Sequence, residues 1–335
     1  MHALLDPAIL FFVFGLLAGL LSSNLELPAP ISKFLSLYLL MALGLKGGFA
    51  LAESGLSSQV LTGLGLGLLL AFLVPLTGYL VLRKLLPPLD AVAVAATYGS
   101  VSAVTFVTAV QTLDRSGVVF GGHMAAAMAL MESPAIVLAV LLANHLRRKN
   151  GAAVAVGVPL AATADDAPSA SPASLRKVLH ESLTDGAQLL LLGAMAVGLL
   201  TGDAGKEAMA PFSIDLFKGM LAFFLLDMGL LTARHLSGTR NNSPWLVVYA
   251  VVAPLVHAAV ALGLGNLAGM SVGDGSLLMV LAASASYIAV PAVLRHAIPE
   301  ARPTLYFGMS LGITFPFNLL LGIPLYLWCA KHVLG

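Results

Sequence analysis

The sequence predicts an all-α integral membrane protein of about ten transmembrane helices in two inverted five-helix repeats, with broken helices meeting near the midplane. Three observations carry that prediction. Of 335 residues, 59% are hydrophobic and 10% charged, with a mean hydropathy of +0.96, whereas a soluble domain carries about 25% charged residues. The apolar runs reach the ~20 residues that a helix needs to cross ~30 Å of hydrocarbon, and they do not alternate with period two as barrel strands do. The two halves of the chain also resemble each other. A net charge of +1 offers no electrostatic footprint for nucleic acid. The single cysteine, Cys329, supports neither an internal disulfide nor a multi-cysteine metal site.

The first apolar run, near 7–23, follows Asp6 with no Lys or Arg before it and no small-x-small cleavage site after it. It reads as a span and not as a cleaved signal. Runs near 31–52, 57–82, 91–113 and 119–146 complete a first repeat, 1–148. Arg147-Arg148-Lys149, an Ala/Ser/Pro/Asp-rich stretch and Arg176-Lys177 then read as a flexible linker, 149–182. The second repeat, 183–335, holds runs near 186–201, 211–233, 244–269, 276–297 and 303–331. Twelve cations fall on the linker's side: Lys33, Arg83, Lys84, Arg147, Arg148, Lys149, Arg176, Lys177, Arg234, Arg240, Arg295 and Arg302. Five, Lys46, Arg115, Lys206, Lys218 and Lys331, fall on or nearer the other. The positive-inside rule therefore makes the linker cytoplasmic and both termini extracytoplasmic.

Sliding one half over the other at offsets of 179 to 185 aligns four short motifs in chain order. Ala42-Leu43-Gly44-Leu45 matches Asp227-Met228-Gly229-Leu230, and Val74-Pro75-Leu76 matches Ala253-Pro254-Leu255. Ser100-Val101-Ser102 matches Ser284-Ala285-Ser286, and Pro134 matches Pro316. Five spans per copy is an odd number, so the copies cross the membrane in opposite senses, as in many secondary transporters with a midplane site.

Such sites are built by discontinuous helices, and the fourth and ninth spans carry the interruptions: Thr97-Tyr98-Gly99-Ser100-Val101-Ser102 with Thr105 and Thr108, and Ser284-Ala285-Ser286-Tyr287 with Pro291. A break exposes backbone N–H groups and points the positive end of a half-helix into the gap, which suits a small anion. Hydroxyls and carbonyls there suit a cation such as sodium. The plainer reading is Ser and Thr bonding back to the preceding turn or to neighbouring helices. Glu132, an intramembrane acid before Ser133-Pro134, reads either as a contact to a coupling cation or as a structural hydrogen bond; its counterpart region holds Thr314, Pro316 and Asn318. Asp227 and Lys46 read as interfacial, His257 as a packing residue, and His123 and His296 as lying near water. Gly15/Gly19, Gly63/Gly67 and Gly265/Gly269 read as helix-packing spacings. No His-Glu-x-x-His, Gly-x-Ser-x-Gly or P-loop motif occurs, which argues against an enzyme, a bound cofactor or an ATP-driven pump and leaves an ion gradient as the energy source.

The sequence resembles the cyanobacterial-type sodium-dependent bicarbonate transporter family across nearly all its membrane part. The resemblance is carried by Gly44-Leu45-Lys46-Gly47-Gly48, Tyr98-Gly99-Ser100-Val101-Ser102, Glu132-Ser133-Pro134-Ala135 with Ala143-Asn144, Ala253-Pro254-Leu255-Val256-His257, and Ala282 to Pro291 running into Ile298-Pro299. It implies a bacterial inner-membrane symporter of gate and core domains, commonly a homotrimer, that moves bicarbonate with sodium by an elevator motion. A cytoplasmic PII-like protein regulates the cyanobacterial members. It also implies a bicarbonate site at Ser100, Val101, Ser102, Ser284, Ala285 and Ser286; Thr105, Glu132, Tyr287 and Asn318 are the candidate residues toward sodium. The chain departs from the family at Tyr287, where an acid is usual, at Ala285, where a hydroxyl is lost, and at Glu132, where Asp is usual. The alternatives are a proton- or sodium-coupled carrier of another small anion or carboxylate, and a non-transporting membrane sensor of the same fold.

Overall fold

The structure, a computed structural model, describes residues 6–55, 57–155, 186–236 and 243–335. Most of the expected linker, with Arg176 and Lys177, and also Arg240, lie outside the described residues. Those described are helical, with no strand among them.

Some helices begin where the sequence provides caps. α1 (Pro7–Leu20) starts at Asp6, whose carboxylate accepts from the Ala8 N–H at 2.7 Å, with Pro7 in the first turn. α2 (Ala29–Ser54) ends at Gly55, whose φ of 68° is open to glycine. α3 (Ser58–Leu82) contains Pro75, and α9 (Pro244–Leu267) contains Pro254. The expected fourth span is two half-helices, α4 (Pro88–Gly99) and α5 (Ala103–Arg115). The ninth is likewise α10 (Val272–Ala283) and α11 (Ala289–Ala297). α6 (His123–Ala155) runs past the expected end of its span to Ala155.

The segment Gly186–Leu236 is 51 residues long, two apolar runs joined by a stretch with Asp203, Lys206, Glu207, Asp215 and Lys218. At 1.5 Å per residue a continuous helix of that length would run to about 75 Å, more than twice a hydrocarbon core. Gly202, at φ 53° and ψ −138°, interrupts it. α7 (Gly186–Ala210) therefore breaks before a π turn at Pro211–Asp215 leads into α8 (Leu216–Leu236). The last segment, α12 (Pro303–Val333), widens into π turns at Gly308–Thr314 and Asn318–Gly322. Seven described helices are long and apolar enough to cross a membrane, with Pro7–Leu20 and Val272–Ala283 as shorter apolar helices.

Two packing groups result. α1 lies along α8 and α2 along α7, while α3 to α6 and α9 to α12 pack together. Gly44 abuts the Leu191 carbonyl of α7, and Gly229 abuts the Phe12 carbonyl of α1. A Cβ at either position would collide with that backbone, so small residues allow both close approaches. The broken pair α4/α5 is the innermost element: 94% of its apolar window is buried, against 39% for Ser58–Leu82. Non-helical backbone at membrane depth is tolerated where protein shields it from lipid, which is where this break lies.

Candidate functional site

The two breaks cross each other and are tied by backbone. The Ser102 N–H donates to Ser284 Oγ at 3.0 Å, and the Ser286 N–H donates to the Thr97 carbonyl at 2.8 Å. Extended backbone at Ser100, Ser102 and Ser284 interrupts the helical ladder. Ser102 then caps α5, accepting from the Thr105 N–H at 3.2 Å and from Thr105 Oγ1 at 2.9 Å. Ser286 Oγ accepts from the Val290 N–H at 3.3 Å in the first turn of α11.

These bonds leave donors unspent. Each hydroxyl has one proton to give. Ser102 Oγ and Ser286 Oγ are acceptors in the hydrogen bonds just described, so their protons remain for a ligand. Tyr287 Oη lies beside Ser102 but makes no well-formed hydrogen bond, and Ser100 Oγ has no partner. Ser284 Oγ is fully engaged: it donates to the Leu281 carbonyl at 2.9 Å while accepting from Ser102.

A cavity of about 190 Å³ lies against this crossing. Val101, Ser102 and Ala103 line it from the first break, and Ser286, Tyr287, Ile288 and Ala289 from the second. The N-termini of α5 and α11 thus both face one chamber, and orphan N–H groups with the helix dipole favour negative charge there. Glu132 of α6 contributes a carboxylate to the wall. The opposite wall belongs to the other packing group: Ser36 and Leu40 of α2, and Ala187, Gln188 and Leu191 of α7.

Not every expected residue reaches the cavity. Ser100, Ser284, Ala285 and Thr105 are buried at the crossing but do not line the chamber. Asn318 stands behind it: its Nδ2 donates to the Ala283 carbonyl at 2.8 Å and its Oδ1 accepts from Tyr326 at 2.8 Å. Its Nδ2 therefore holds the end of α10, while Tyr326 of α12 fixes the other half of the amide. Tyr98 plays a similar part for α4, donating to Thr314 Oγ1 at 2.6 Å, which in turn donates to the Ala250 carbonyl at 2.7 Å. Both supports arise from the π turns of α12.

Two expectations outside the chamber need correction. Asp227 was expected at the interface, but it is 5% exposed inside the α1, α2 and α8 packing, with Ser32 beside it. His123 was expected near water, yet it is 4% exposed under α3 and the Gly121 turn. His123 opens α6 and Asp227 lies midway along α8, and neighbouring helices cover both. Lys46 is half-buried, 3.2 Å from Asp114 and over the Phe217 ring. His257 is buried beside the Ala282 backbone. Ser36 and Gln188 are the cavity residues that the sequence did not reveal. The signal available for them was a polar side chain within the first eight residues of α2 and α7.

A family model described as the Na+-dependent bicarbonate transporter superfamily matches residues 7–331. No curated protein sequence matches the chain. With nearly its whole length matched, the chain belongs to the Na+-dependent bicarbonate transporter superfamily, a group of multi-pass membrane transporters.

Proposed function

From that membership, we propose that the protein is a sodium-coupled symporter of bicarbonate, working by an elevator motion of one packing group against the other. The single observation that carries the reading is the chamber faced by two half-helix N-termini and by the hydroxyls of Ser102, Ser286 and Tyr287. Donors without acceptors, in a water-poor setting, select an anion. At roughly 30 Å³ per water, a chamber of about 190 Å³ suits a small oxyanion with a few waters.

Glu132 supports the coupling. A carboxylate and a bound anion in one chamber repel strongly when poorly solvated, so a cation between them would offset both charges. Sodium would then enter as co-transported substrate, with Glu132 and the oxygens of Ser102 and Tyr287 as nearby ligands, Thr105 as a support behind Ser102, and Asn318 as a support for the helix end. Tyr287 supplies an oxygen but no negative charge at neutral pH, which favours Glu132 as the charged partner.

The arrangement also supports the inverted-repeat reading: α1 with α8 and α2 with α7 are reciprocal pairings, and Gly44 and Gly229 occupy equivalent close approaches. The cation asymmetry supports an inner-membrane protein with both termini extracytoplasmic. A homotrimeric assembly and a cytoplasmic PII-like regulator remain part of the proposal through family likeness alone.

Labelled bicarbonate uptake into proteoliposomes, with and without an inward sodium gradient, tests the reading. Sodium-dependent uptake is expected. Uptake indifferent to sodium would transfer the coupling to protons or to facilitated flow. Absence of uptake by folded protein would overturn bicarbonate as substrate, leaving another small carboxylate or a sensor.

A further inference from the structure

Along the same seam between the packing groups lies a larger cavity, about 610 Å³, that the proposed transport site does not use. Its charged lining is Lys46 and Glu53 of α2, Asp114 and Arg115 of α5, Lys206 of α7 and Lys218 of α8. Of the five cations on the sparsely charged face, four converge here. Three of them are compensated: Lys46 lies 3.2 Å from Asp114, Lys206 lies 2.6 Å from Glu53, and Arg115 pairs with Asp6. Lys218 is exposed and makes no ion pair among the described residues. It also lines an adjoining cavity of about 260 Å³ together with Arg115, Gln111 and Asp6. After pairing, the lining keeps one positive charge, and Lys218 bears it.

The position of this vestibule gives the charge a use. Four helices line both cavities, and three of them pass from one to the other within three residues. α2 offers Leu40 to the chamber and Leu43 to the vestibule, α5 offers Ala103 and then Phe106, and α6 offers Met128 and then Ala125. Three residues correspond to about 4.5 Å of helix rise. A plug of about one helical turn, with Leu43, Phe106 and Ala125 on its outer side, therefore separates the cationic vestibule from the anion chamber.

We propose that the vestibule is a second, low-affinity anion site, in which Lys218 holds a small monovalent oxyanion before it passes the plug to the crossing. The proposal rests on the transport reading above. A cavity of one sign with apolar walls raises the local concentration of the opposite ion, and its effect weakens as salt screens it.

The test reads the vestibule's potential directly. On a Cys329→Ser background, Val118→Cys places a thiol in the vestibule wall. Its modification by an anionic methanethiosulfonate is compared with that by a cationic one, with and without Lys218→Gln. The anionic-to-cationic rate ratio is expected to fall roughly threefold in Lys218→Gln at low salt, and the difference should shrink at high salt. Bicarbonate uptake by Lys218→Gln should show a rise of similar size in KM, carried in KM and not in the maximal rate. An unchanged rate ratio, or a ratio insensitive to salt, overturns the vestibule site. If the parent protein moves no bicarbonate, the transport reading falls instead, and the thiol ratio still decides whether the vestibule collects anions.

Discussion

At the scale of single residues, the decisive groups are hydroxyls with a proton to give. Ser102 and Ser286 each spend their oxygen on the first turn of the helix that follows, which aims them at the chamber and leaves the O–H for a ligand. Removing one such hydrogen bond should cost about 1 to 1.5 kcal/mol. Ser102→Ala and Ser286→Ala should therefore each lower bicarbonate uptake about five- to tenfold while folded yield stays near that of the parent; unchanged uptake would remove these hydroxyls from the site. Glu132→Gln keeps the shape and removes the charge. Uptake measured against sodium concentration should lose its sodium dependence in this variant, whereas a residue serving only as a structural hydrogen bond would leave that dependence intact. The serine pairs were legible in the sequence because they recur in register in both halves. Ser36 and Gln188 were not, because nothing in their spacing relates them to the breaks.

At the scale of elements, the helices are held by close approach on one side and by ion pairs at their ends. Gly229 lies against the Phe12 carbonyl, so Gly229→Leu must push α1 from α8. The expected loss is about 1–3 kcal/mol, read as an earlier thermal transition in detergent, with Gly229→Ala milder than Gly229→Leu. At the end of α6, Arg147 donates to both carboxylate oxygens of Glu300, at 3.0 and 2.7 Å, and to the Ala297 carbonyl at 3.0 Å, tying α6 to the turn after α11. These hydrogen bonds hold the Glu300 carboxyl below its ordinary value of 4.5. A carboxylate whose pKa is lowered by folding stabilises the fold above its ordinary pKa and ceases to do so as the pH falls through the lower, folded value. Both partners are partly exposed, so the effect is that of a surface pair, below about 1 kcal/mol. The stability lost on acidification from pH 6 to below about 4 should therefore be slightly smaller in Glu300→Gln than in the parent. Helix breaks at Ser100–Ser102 and Ser284–Tyr287 were legible as polar interruptions. The π turns of α12 were not, since Pro316 marks a distortion without saying that Thr314 and Asn318 would reach two different broken helices.

At the scale of the whole molecule, both cavities lie between the same two packing groups. A stripe along α2, made of Ser36, Leu40, Leu43, Gly47 and Ala50, faces that seam. If one group slides along the stripe, fastening it should stop transport. A Cβ built at Gly47 would lie 3.2 Å from the Ala125 Cβ, slightly inside the roughly 3.5–4.5 Å of a disulfide. The double variant Gly47→Cys with Ala125→Cys, on a Cys329→Ser background, should lose uptake on oxidation and regain it on reduction. Uptake that survives complete cross-linking would exclude sliding at this seam.

The sequence by itself determined that the chain spans a membrane many times and that two of its helices break at serine-containing motifs. These properties are local: burial of apolar runs and loss of helical ladder at polar interruptions can both be read along one dimension. Only the tertiary structure decided which of those serines face a cavity, that Glu132 shares it and that Asn318 stands behind it. It also decided that α2 and α7 supply the facing wall, and that four scattered cations gather in one vestibule. Those facts depend on the direction of each side chain and on which helices cross. Contacts as distant in sequence as Ser102 with Ser284 settle both.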